Sequence, residues 1–274
     1  MEATGWFHVL TTRPVTEMSQ AILHDSTLCV GCRMCEAACA KRWSLPYNDT
    51  IAREERLSSH KLTAVVVRDD KCSRKLCMHC AEPACVSACP VSALQKTAIG
   101  PVIYQEERCM GCRYCMVVCP FQVPAYEWSS RLPQVRKCDM CYQRLVEGKS
   151  TACADYCPTG ATITGDRESL IAEARKRMGE NPESYYPRIY GLTDAGGTSV
   201  LLLSAVPLET FGIGTTAPQE PLPALTWSAL SQVPSLVMLG SALLGGVSWI
   251  VHRRSQVAAV EGNGAKCGKT KDPQ

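Results

Sequence analysis

The stretch Cys109-Met-Gly-Cys-Arg-Tyr-Cys-Met-Val-Val-Cys119-Pro120 decides the fold, because it concentrates four thiols in one short loop. Its first three cysteines, Cys109, Cys112 and Cys115, are separated by two residues each, whereas Cys119 follows after three residues and precedes a proline. A loop with this spacing can curl so that three thiolates meet one metal centre. The fourth thiol, displaced by one residue and followed by a chain-turning proline, faces a neighbouring centre. The stretch therefore indicates two metal centres that exchange ligands.

This spacing is typical of the bacterial sequence run that ligates [4Fe–4S] clusters, in which the fourth cysteine ligates the other cluster of a pair. A cubane cluster has four iron corners, and each corner needs one thiolate. The loop serves three corners, with its backbone N–H groups aimed at the sulfurs, and a distant cysteine serves the fourth. We therefore expect paired clusters rather than isolated metal ions.

Three further cysteine groups repeat the pattern along the chain. Residues 29–35 and 109–115 share the sequence C-x-G-C-R-x-C, in which Gly31 and Gly111 permit a tight turn and a close approach of the backbone to a cluster. Such self-similarity indicates a duplicated unit. Sixteen of the eighteen cysteines fall into four groups, which are Cys29, Cys32, Cys35 and Cys39; Cys77, Cys80, Cys85 and Cys89; Cys109, Cys112, Cys115 and Cys119; and Cys138, Cys141, Cys153 and Cys157.

The composition bounds the class of protein. With 274 residues the chain is long enough for one or two domains, and its aromatic content of 6% leaves little ordinary core material. Bound clusters would supply an organising centre, because metal-binding energy is folding energy when no preformed apo site exists. Four oxidised clusters, each with roughly two negative charges, would change the formal net charge from +3 to about −5. No basic run is interleaved with aromatic residues, so we expect no nucleic-acid partner.

Two other uses of many cysteines fit the sequence less well. A secreted disulfide scaffold is disfavoured, because most of the cysteines stand two residues from another one, as in metal loops. Zinc takes four ligands from two C-x-x-C pairs, so the third cysteine of each C-x-x-C-x-x-C loop would be unused. Cys72 and Cys267 lie outside the four groups. We interpret Cys72 as a spare thiol, since each cluster already has four better-placed ligands.

The sequence between the cysteine groups predicts a few regular elements. The β-branched run at residues 62–68 predicts a strand. Residues 142–151 predict a helix and turn in which Gly148 stops the helix. Residues 166–179 predict an amphipathic helix with Asp166 as its N-cap.

Several polar residues leave alternatives open. Each of three cations beside cysteines is either a solvated surface group or a charge that raises the potential of a nearby cluster. These cations are Arg33, Arg113 and Lys137. We expect His8 and His24 to be surface residues, because neither has a partner at ligand spacing. We also expect His79 to be a solvent-facing loop residue rather than a group that tunes a cluster.

The C-terminal third of the sequence predicts an arm and a membrane span. Glycines and prolines punctuate residues 181–233, so we expect an extended arm there. The following nineteen residues, 233–251, carry no charge and would form a helix of about 28 Å, close to the hydrocarbon thickness of a bilayer. A basic flank, His252-Arg253-Arg254, supports a transmembrane helix. Small residues at Ser241 and Gly245 let another helix approach closely, so we expect a membrane partner.

The distribution of basic residues predicts the orientation. No Lys or Arg occurs between Arg188 and Arg253, whereas five follow the span. The positive-inside rule therefore predicts a cytoplasmic tail and a cluster domain on the periplasmic side of the cytoplasmic (inner) membrane. Residues 1–20 show no apolar signal-peptide core. We accordingly expect the folded chain to be exported by a partner that carries the signal.

Together, these residues resemble a known family. The four cysteine groups, the Gly196-Gly197-Thr198 that follows them and the single C-terminal span resemble the four-cluster iron–sulfur subunit of membrane-bound formate dehydrogenases and of quinone-reducing [NiFe] hydrogenases of the hydrogenase-2 type. The likeness covers residues 25–254, approximately. The cysteine frame is also similar to that of electron-transfer subunits of the dimethyl-sulfoxide-reductase and polysulfide-reductase types, and the C-terminal span narrows the choice.

The resemblance implies how the thiols pair into four ligand sets, each holding one [4Fe–4S] cluster. The first set is Cys29, Cys32, Cys35 and Cys157; the second is Cys138, Cys141, Cys153 and Cys39; the third is Cys77, Cys80, Cys85 and Cys119; and the fourth is Cys109, Cys112, Cys115 and Cys89. It also implies an α+β fold of two ferredoxin-like two-cluster modules, one inserted in the other. The expected parts are an outer module at 1–72 and 136–190, an inserted module at 73–135, an arm at 191–232, a transmembrane helix at 233–251 and a cytoplasmic tail at 252–274.

The function that the resemblance implies is electron transfer in a respiratory chain. The chain has no phosphate loop and no spare metal constellation, so we expect no catalytic site of its own. Expected partners are a catalytic subunit with nickel–iron or with molybdenum or tungsten, a multi-pass quinone-reactive membrane subunit, and lipid. The alternative is a subunit of a molybdopterin reductase, of the polysulfide- or dimethyl-sulfoxide-reductase type, that runs in the opposite direction. His252 is either an interfacial anchor or a contact to quinone or haem.

Overall fold

The computed structural model describes residues 19–131, 133–213 and 217–264, so the predictions on His8 and Cys267 lie outside the described residues. The strands in this part of the chain are β1 (Gln20–Asp25), β2 (Thr63–Arg68), β3 (Lys71–Leu76), β4 (Leu94–Lys96), β5 (Val102–Tyr104), β6 (Ala125–Tyr126), β7 (Val135–Arg136), β8 (Thr162–Asp166) and β9 (Val200–Leu203). The α-helices are α1 (Met34–Trp43), α2 (Ala84–Ser87), α3 (Tyr114–Val117), α4 (Tyr142–Val146), α5 (Ala152–Asp155), α6 (Arg167–Glu180), α7 (Leu222–Leu230) and α8 (Val233–Gly264).

A three-stranded sheet in the order β8-β1-β9 connects distant parts of the sequence. The central strand β1 runs antiparallel to β8 and parallel to β9, with Leu23 opposite Ile163 on one side and Leu201 on the other. Because side chains alternate along a strand, Ile22 faces the main core while Leu23 packs toward α6. The sheet is therefore covered on both faces.

Helix α6 covers one face of this sheet, as its sequence predicts. Its N-cap is Asp166, whose Oδ2 accepts a hydrogen bond of 3.0 Å from the Ser169 N–H. Leu170, Ile171 and Ala174 are buried against the sheet. Both the predicted N-cap and the predicted apolar face of this helix are confirmed.

Three β-hairpins accompany the sheet. Strand β2 confirms the strand predicted at 62–68 and pairs with β3 in antiparallel register, with Thr63 opposite Leu76. The β4–β5 hairpin lies within the segment 73–135 that is predicted to be inserted, and the β6–β7 hairpin ends one residue beyond it, at Arg136. Helix α4 ends at Val146, and Gly148 beyond it has a φ of 72°, which confirms the predicted stop. The nesting of two modules stays a prediction.

The structure corrects the extended arm predicted for residues 191–232. Strand β9 lies inside this range, and its four residues are fully buried. Further along, Leu208 and Phe211 belong to the main core. At Gly191, a Cβ would lie 2.2 Å from the Val200 carbonyl oxygen, so only glycine fits this close approach. The glycines and prolines there mark the turns of a packed segment. The prediction failed because an apolar run that is too short to span a bilayer, here Val200–Leu203, can still form a buried strand.

The chain divides into two compact units, one ending at Leu225 and the other beginning at Thr226. In the second unit, α8 contains a stretch, Val233–Ala258, that is long and apolar enough to cross a membrane. None of that stretch is buried within the structure. It includes the whole segment predicted to span, residues 233–251, and it is the one such helix in the part of the chain that the structure describes.

Candidate metal centre

The four cysteine loops share one backbone feature. The third residue of each C-x-x-C has a positive φ, which is 70° at Gly31, 50° at His79, 74° at Gly111 and 55° at Met140. This left-handed conformation turns the chain tightly, and for a residue with a Cβ it costs roughly 1–2 kcal/mol. The loops at His79 and Met140 therefore adopt the glycine geometry in spite of its cost, and the surrounding structure holds them in it.

The repeated C-x-G-C-R-x-C motif is also a structural repeat. Arg33 and Arg113 have φ values of 60° and 64°, and each forms the N-cap of the helix that follows, α1 or α3. Their side chains differ. Arg33 is buried and pairs with Glu36 at 3.0 Å, whereas the exposed Arg113 lies 5.3 Å from the ring centroid of Trp128.

Lys137, the third cation of the sequence analysis, is buried. Its Nζ donates a hydrogen bond to the Val102 carbonyl and another of 3.0 Å to the carbonyl of Cys138. Neither Lys137 nor Arg33 is thus a solvated surface cation. For these two residues the structure excludes the first of the two alternatives.

The thiols of the fourth predicted ligand set line one cavity. Cys109, Cys112 and Cys115 come from the loop before α3, and Cys89 comes from the end of the preceding motif, just after α2. Apolar side chains, including Leu94 and Val135, form much of the remaining wall. The fold therefore gathers four thiols from two separate motifs around one cavity with a largely apolar wall.

The thiols of the second predicted ligand set line another cavity. Cys138, Cys141 and Cys153 come from the last cysteine group, whereas Cys39 projects from α1, about a hundred residues earlier. Here too the cysteine that completes the four belongs to a different group of the sequence. Arg74 and Ile22 are among the other residues of the wall.

For the first and third predicted sets, the causes of the thiol pKa shifts indicate which thiols lie near each other. Burial raises the pKa of Cys29, and the nearby Cys157 and Cys32 thiols raise it further. Burial likewise raises the pKa of Cys80, with added contributions from Cys77, Cys119 and Cys85. All thiols that influence Cys80 belong to its predicted set. Those that influence Cys29 belong to its set except for one, Cys72.

Backbone N–H groups point at several of these sulfurs. The N–H of Ala93 donates to Cys89 Sγ at 3.2 Å, that of Met140 to Cys138 Sγ at 3.3 Å, and that of Ala152 to Cys141 Sγ at 3.4 Å. At Cys157, burial raises the thiol pKa, but hydrogen bonds from Thr162 and Thr159 outweigh burial, so the net pKa is lowered. Donors of this kind stabilise thiolate sulfur and tune the potential of a cluster that it holds.

The geometry suits a cubane cluster better than a single ion. In the described parts of the chain, no group of three or more His, Cys, Asp or Glu side chains is close enough to hold one metal ion. A tetrahedral zinc site would require four such donors around a single point. A [4Fe–4S] cluster instead takes one thiolate at each of four separate irons, so its sulfurs surround a volume. In each of the two cavities the four thiols likewise line a space instead of meeting at one point.

The causes of the thiol pKa shifts also indicate which sets are neighbours. The Cys153 thiol of the second set helps to raise the pKa of Cys35 in the first set, and the Cys77 thiol of the third helps to raise the pKa of Cys138 in the second. In the same way, Cys85 of the third set is influenced by Cys115 of the fourth. These electrostatic influences pair the first set with the second, the second with the third, and the third with the fourth.

Two histidines contradict their predictions. His24 is 1% exposed rather than on the surface, and its Nδ1 lies 3.0 Å from Thr162 Oγ1. Burial, followed by the charge of Arg74, lowers the pKa of His24 to about 3. His79 is also 1% exposed, and its Nδ1 accepts a hydrogen bond of 2.9 Å from the Val102 N–H. Both imidazoles are therefore neutral parts of the interior.

The two remaining candidates differ in their surroundings. Cys72 is buried, and a Cβ on Gly31 would lie 2.8 Å from its Sγ, so this thiol packs directly against the first cysteine loop. His252 is exposed on α8, and its backbone carbonyl accepts from the Ser255 hydroxyl at 2.7 Å. The proposed contact of His252 to quinone or haem stays a prediction.

Comparisons with known proteins agree with this geometry. Residues 69–167 match the 4Fe-4S dicluster domain family. The chain is 39% identical over 264 residues to a protein of Nitratidesulfovibrio vulgaris, an alignment that covers 91% of this chain and 71% of the other. It is 34% identical to the hydrogenase-2 operon protein HybA of Escherichia coli O157:H7, covering 89% of this chain and 87% of HybA. Identity to the formate dehydrogenase-O iron-sulfur subunit of Escherichia coli K12 is 35%, covering 66% of this chain and 65% of that subunit.

The combination of cysteine loops, four-thiol cavities and these relatives assigns the chain to a family. It carries a [4Fe–4S] dicluster domain, and it is an electron-transfer subunit of an oxidoreductase complex rather than a catalytic subunit. The chain belongs to the family of iron–sulfur subunits that includes HybA and the formate dehydrogenase iron-sulfur subunits.

Proposed function

We propose that this chain holds four [4Fe–4S] clusters and relays electrons between a catalytic subunit and a quinone-reactive membrane subunit. The observation that carries the proposal is the convergence of thiols from separate motifs around the two cavities, Cys89 in one and Cys39 in the other. The electrostatic influences between thiols of neighbouring sets support a single row of four clusters.

The exposure of the loop residues supports the two ends of the row as the places where partners dock. Val30 and Met110, which occupy the same position in the first and fourth loops, are 67% and 65% exposed. Met78, at the corresponding position of the third loop, is only 4% exposed. The second loop has the polar Asp139 at this position, so only the first and fourth loops expose an apolar side chain there. Such exposed apolar side chains are expected where other subunits dock.

The residues of the chain have distinct functions in this proposal. Bound clusters supply one-electron carriers. The thiolates hold the iron, and the N–H groups of Ala93, Met140 and Ala152 stabilise the sulfur that carries the negative charge. Apolar residues such as Leu94 and Val135 keep water away from the cavity. This insulation protects the carriers from solvent while electrons pass.

Alanine substitutions test the crosswise ligand sets. Cys39→Ala and Cys141→Ala should remove the same EPR signal and up to about four of about sixteen irons, because both thiols belong to the second set. Cys39→Ala and Cys35→Ala should remove different signals, although the two cysteines are close in sequence. Cys72→Ala serves as the control and should retain all the iron. Four unchanged EPR signals in Cys39→Ala would contradict the assignment.

We propose that α8 spans the membrane, with the cluster domain on the periplasmic side and the tail in the cytoplasm. Support comes from the length and hydropathy of Val233–Ala258 and from the basic residues Arg253 and Arg254. The small residues Ser241 and Gly245 offer a face to a helix of the membrane subunit. Protease digestion of spheroplasts tests the orientation, and a cluster domain protected from the protease would refute it.

The relatives favour a donor of the hydrogenase or formate dehydrogenase type, whose electrons would pass through this chain toward quinone. The alternative is a molybdopterin reductase that draws electrons in the opposite direction. Metal analysis of the complex purified in detergent distinguishes the donors. Nickel in the catalytic subunit would indicate hydrogen, and molybdenum or tungsten would indicate formate or the reductase alternative. Turnover with formate then separates those two.

A further inference from the structure

Arg74 is a fully buried cation at the second ligand set. It belongs to β3, its exposed fraction is 1%, and it lines the same cavity as Cys39, Cys138, Cys141 and Cys153. The sequence gives no hint of its importance, because Arg74 alternates with other polar residues in a short strand and stands outside every cysteine loop.

Two threonines hold the guanidinium in place. Its Nε donates a hydrogen bond of 2.8 Å to Thr63 Oγ1, and its Nη1 donates one of 3.1 Å to Thr162 Oγ1. The Thr162 hydroxyl, which accepts from Arg74, is left to donate to Nδ1 of His24 at 3.0 Å. The neutral His24 thus fixes Thr162, and Thr162 fixes Arg74, without adding a charge.

No carboxylate compensates this cation among the described residues, since none of their ion pairs includes Arg74. Other buried arginines have such a partner, Arg33 in Glu36 and Arg167 in Glu168. A buried charge is very unfavourable unless it is paired. The anionic groups that would face it are thiolates: Cys153 lines the same cavity, and the charges of Cys153 and Cys35 raise the pKa of Arg74. Cys35 and Cys153 belong to different predicted sets.

We propose that Arg74 is a positioning and tuning residue, shared by the first and second clusters, whose fixed positive charge raises the reduction potential of both. The inference rests on the proposed ligand sets. Adding an electron makes a cluster more negative, and a desolvated cation beside it favours that reduced form, since net charge near a cluster sets its potential. The third and fourth clusters lie further along the row. The cations near the third set are Lys96, which is half-buried, and Lys137, which is buried.

Redox titration followed by EPR, on the purified complex, tests the proposal. In Arg74→Met the reduction equilibrium of two of the four clusters should become at least tenfold less favourable, which is about 59 mV for a one-electron couple. Arg74→Lys keeps the charge and should return both potentials most of the way to their original values. The control is Arg167→Met, which removes a buried arginine that donates to the Thr198 carbonyl at 2.9 Å, and it should change none of the four potentials.

If the Arg74→Met variant fails to assemble its clusters, the iron contents of Arg74→Met and Arg74→Lys test the proposal instead. If Arg74→Met loses iron while Arg74→Lys retains iron and potentials, a positive charge is what the two clusters require, which supports the proposal. If both variants lose iron equally, or if Arg74→Met keeps all four potentials, the proposal is overturned. A native complex with fewer than four clusters would instead refute the proposed function, so the two failures are distinguishable.

Discussion

Glu36 provides a sharp test of how the first cysteine loop is held. Its carboxylate is buried and pairs with two buried cations, Arg33 at 3.0 Å and Lys61 at 2.9 Å. The same carboxylate accepts a hydrogen bond of 2.5 Å from the Val65 N–H. Arg33 is the N-cap of α1, and Glu36 follows Cys35 directly. These ion pairs and the hydrogen bond from Val65 therefore hold the first cysteine loop against β2.

The expected cost of Glu36→Gln follows from these distances. At an effective dielectric constant of about 20, each pair contributes about 5–6 kcal/mol of attraction, most of which offsets the desolvation of the charges. Removing one partner of a buried pair costs about 3–5 kcal/mol, because the remaining charge stays buried without compensation. Here two cations, Arg33 and Lys61, lose their partner together. We expect a loss near that range, a large fraction of the ~5–15 kcal/mol that stabilises a typical domain.

Guanidinium unfolding of the purified complex under anaerobic conditions measures this loss. With a slope of about 4 kcal/mol per M, the midpoint for bleaching of the clusters should fall by about 1 M. Iron should be lost first from the set that contains Cys35. The control is Glu147→Gln, which removes an exposed pair with Lys149 and should leave the midpoint unchanged. Equal midpoints for Glu36→Gln and Glu147→Gln would refute the reasoning.

Further predictions concern other parts of the cluster domain. Gly31→Ala should lower the iron content, because its Cβ would lie 2.8 Å from Cys72 Sγ at a φ of +70°; adding Cys72→Ala should restore part of the iron, and no restoration would argue against the clash. Asp166→Ala should lower the free energy of unfolding by about 1 kcal/mol through loss of the N-cap, with iron content unchanged; a loss of iron would contradict this separation. Acidification should release iron, because burial raises the pKa of the Cys35 and Cys39 thiols to about 12, so protons compete with iron for these sulfurs. Iron retained per chain should therefore rise with pH, and a flat profile would contradict the argument.

The local parts of the site were accessible from the sequence because their determinants are local. The spacing of Cys109, Cys112 and Cys115 fixes a loop by itself, and the glycine in C-x-G-C indicates the positive φ that the structure has at Gly111. The N-cap at Asp166 and the stop at Gly148 likewise depend on neighbours within a few residues. None of these features requires knowledge of the distant chain.

The parts that sequence reasoning missed depend on distant pairing. His24 is buried because β1 is the central strand, where His24 lies opposite Thr162 on one side and Leu202 on the other. Both partners are more than a hundred residues away. One of them, Leu202, belongs to β9, which lies in the range that the sequence predicts to be an extended arm. His79 did carry a local signal. It occupies the position of Gly31 in the first loop, and that alignment indicates a turn packed against the cluster rather than a solvent-facing one.

In the described part of the chain, the hydrophobic core and the cluster sites share residues. The same side chains therefore affect both the stability of the fold and electron transfer. The main core includes the thiols of Cys77, Cys138 and Cys153 together with aliphatic residues such as Ile22. Two buried cations, Arg74 and Lys137, have no carboxylate partner among the described residues. Without iron, neutral thiols would face these cations and the cavities would be unfilled, so the apoprotein would be destabilised both by lost packing and by uncompensated charge. The same charges that tune the clusters therefore also make folding depend on them.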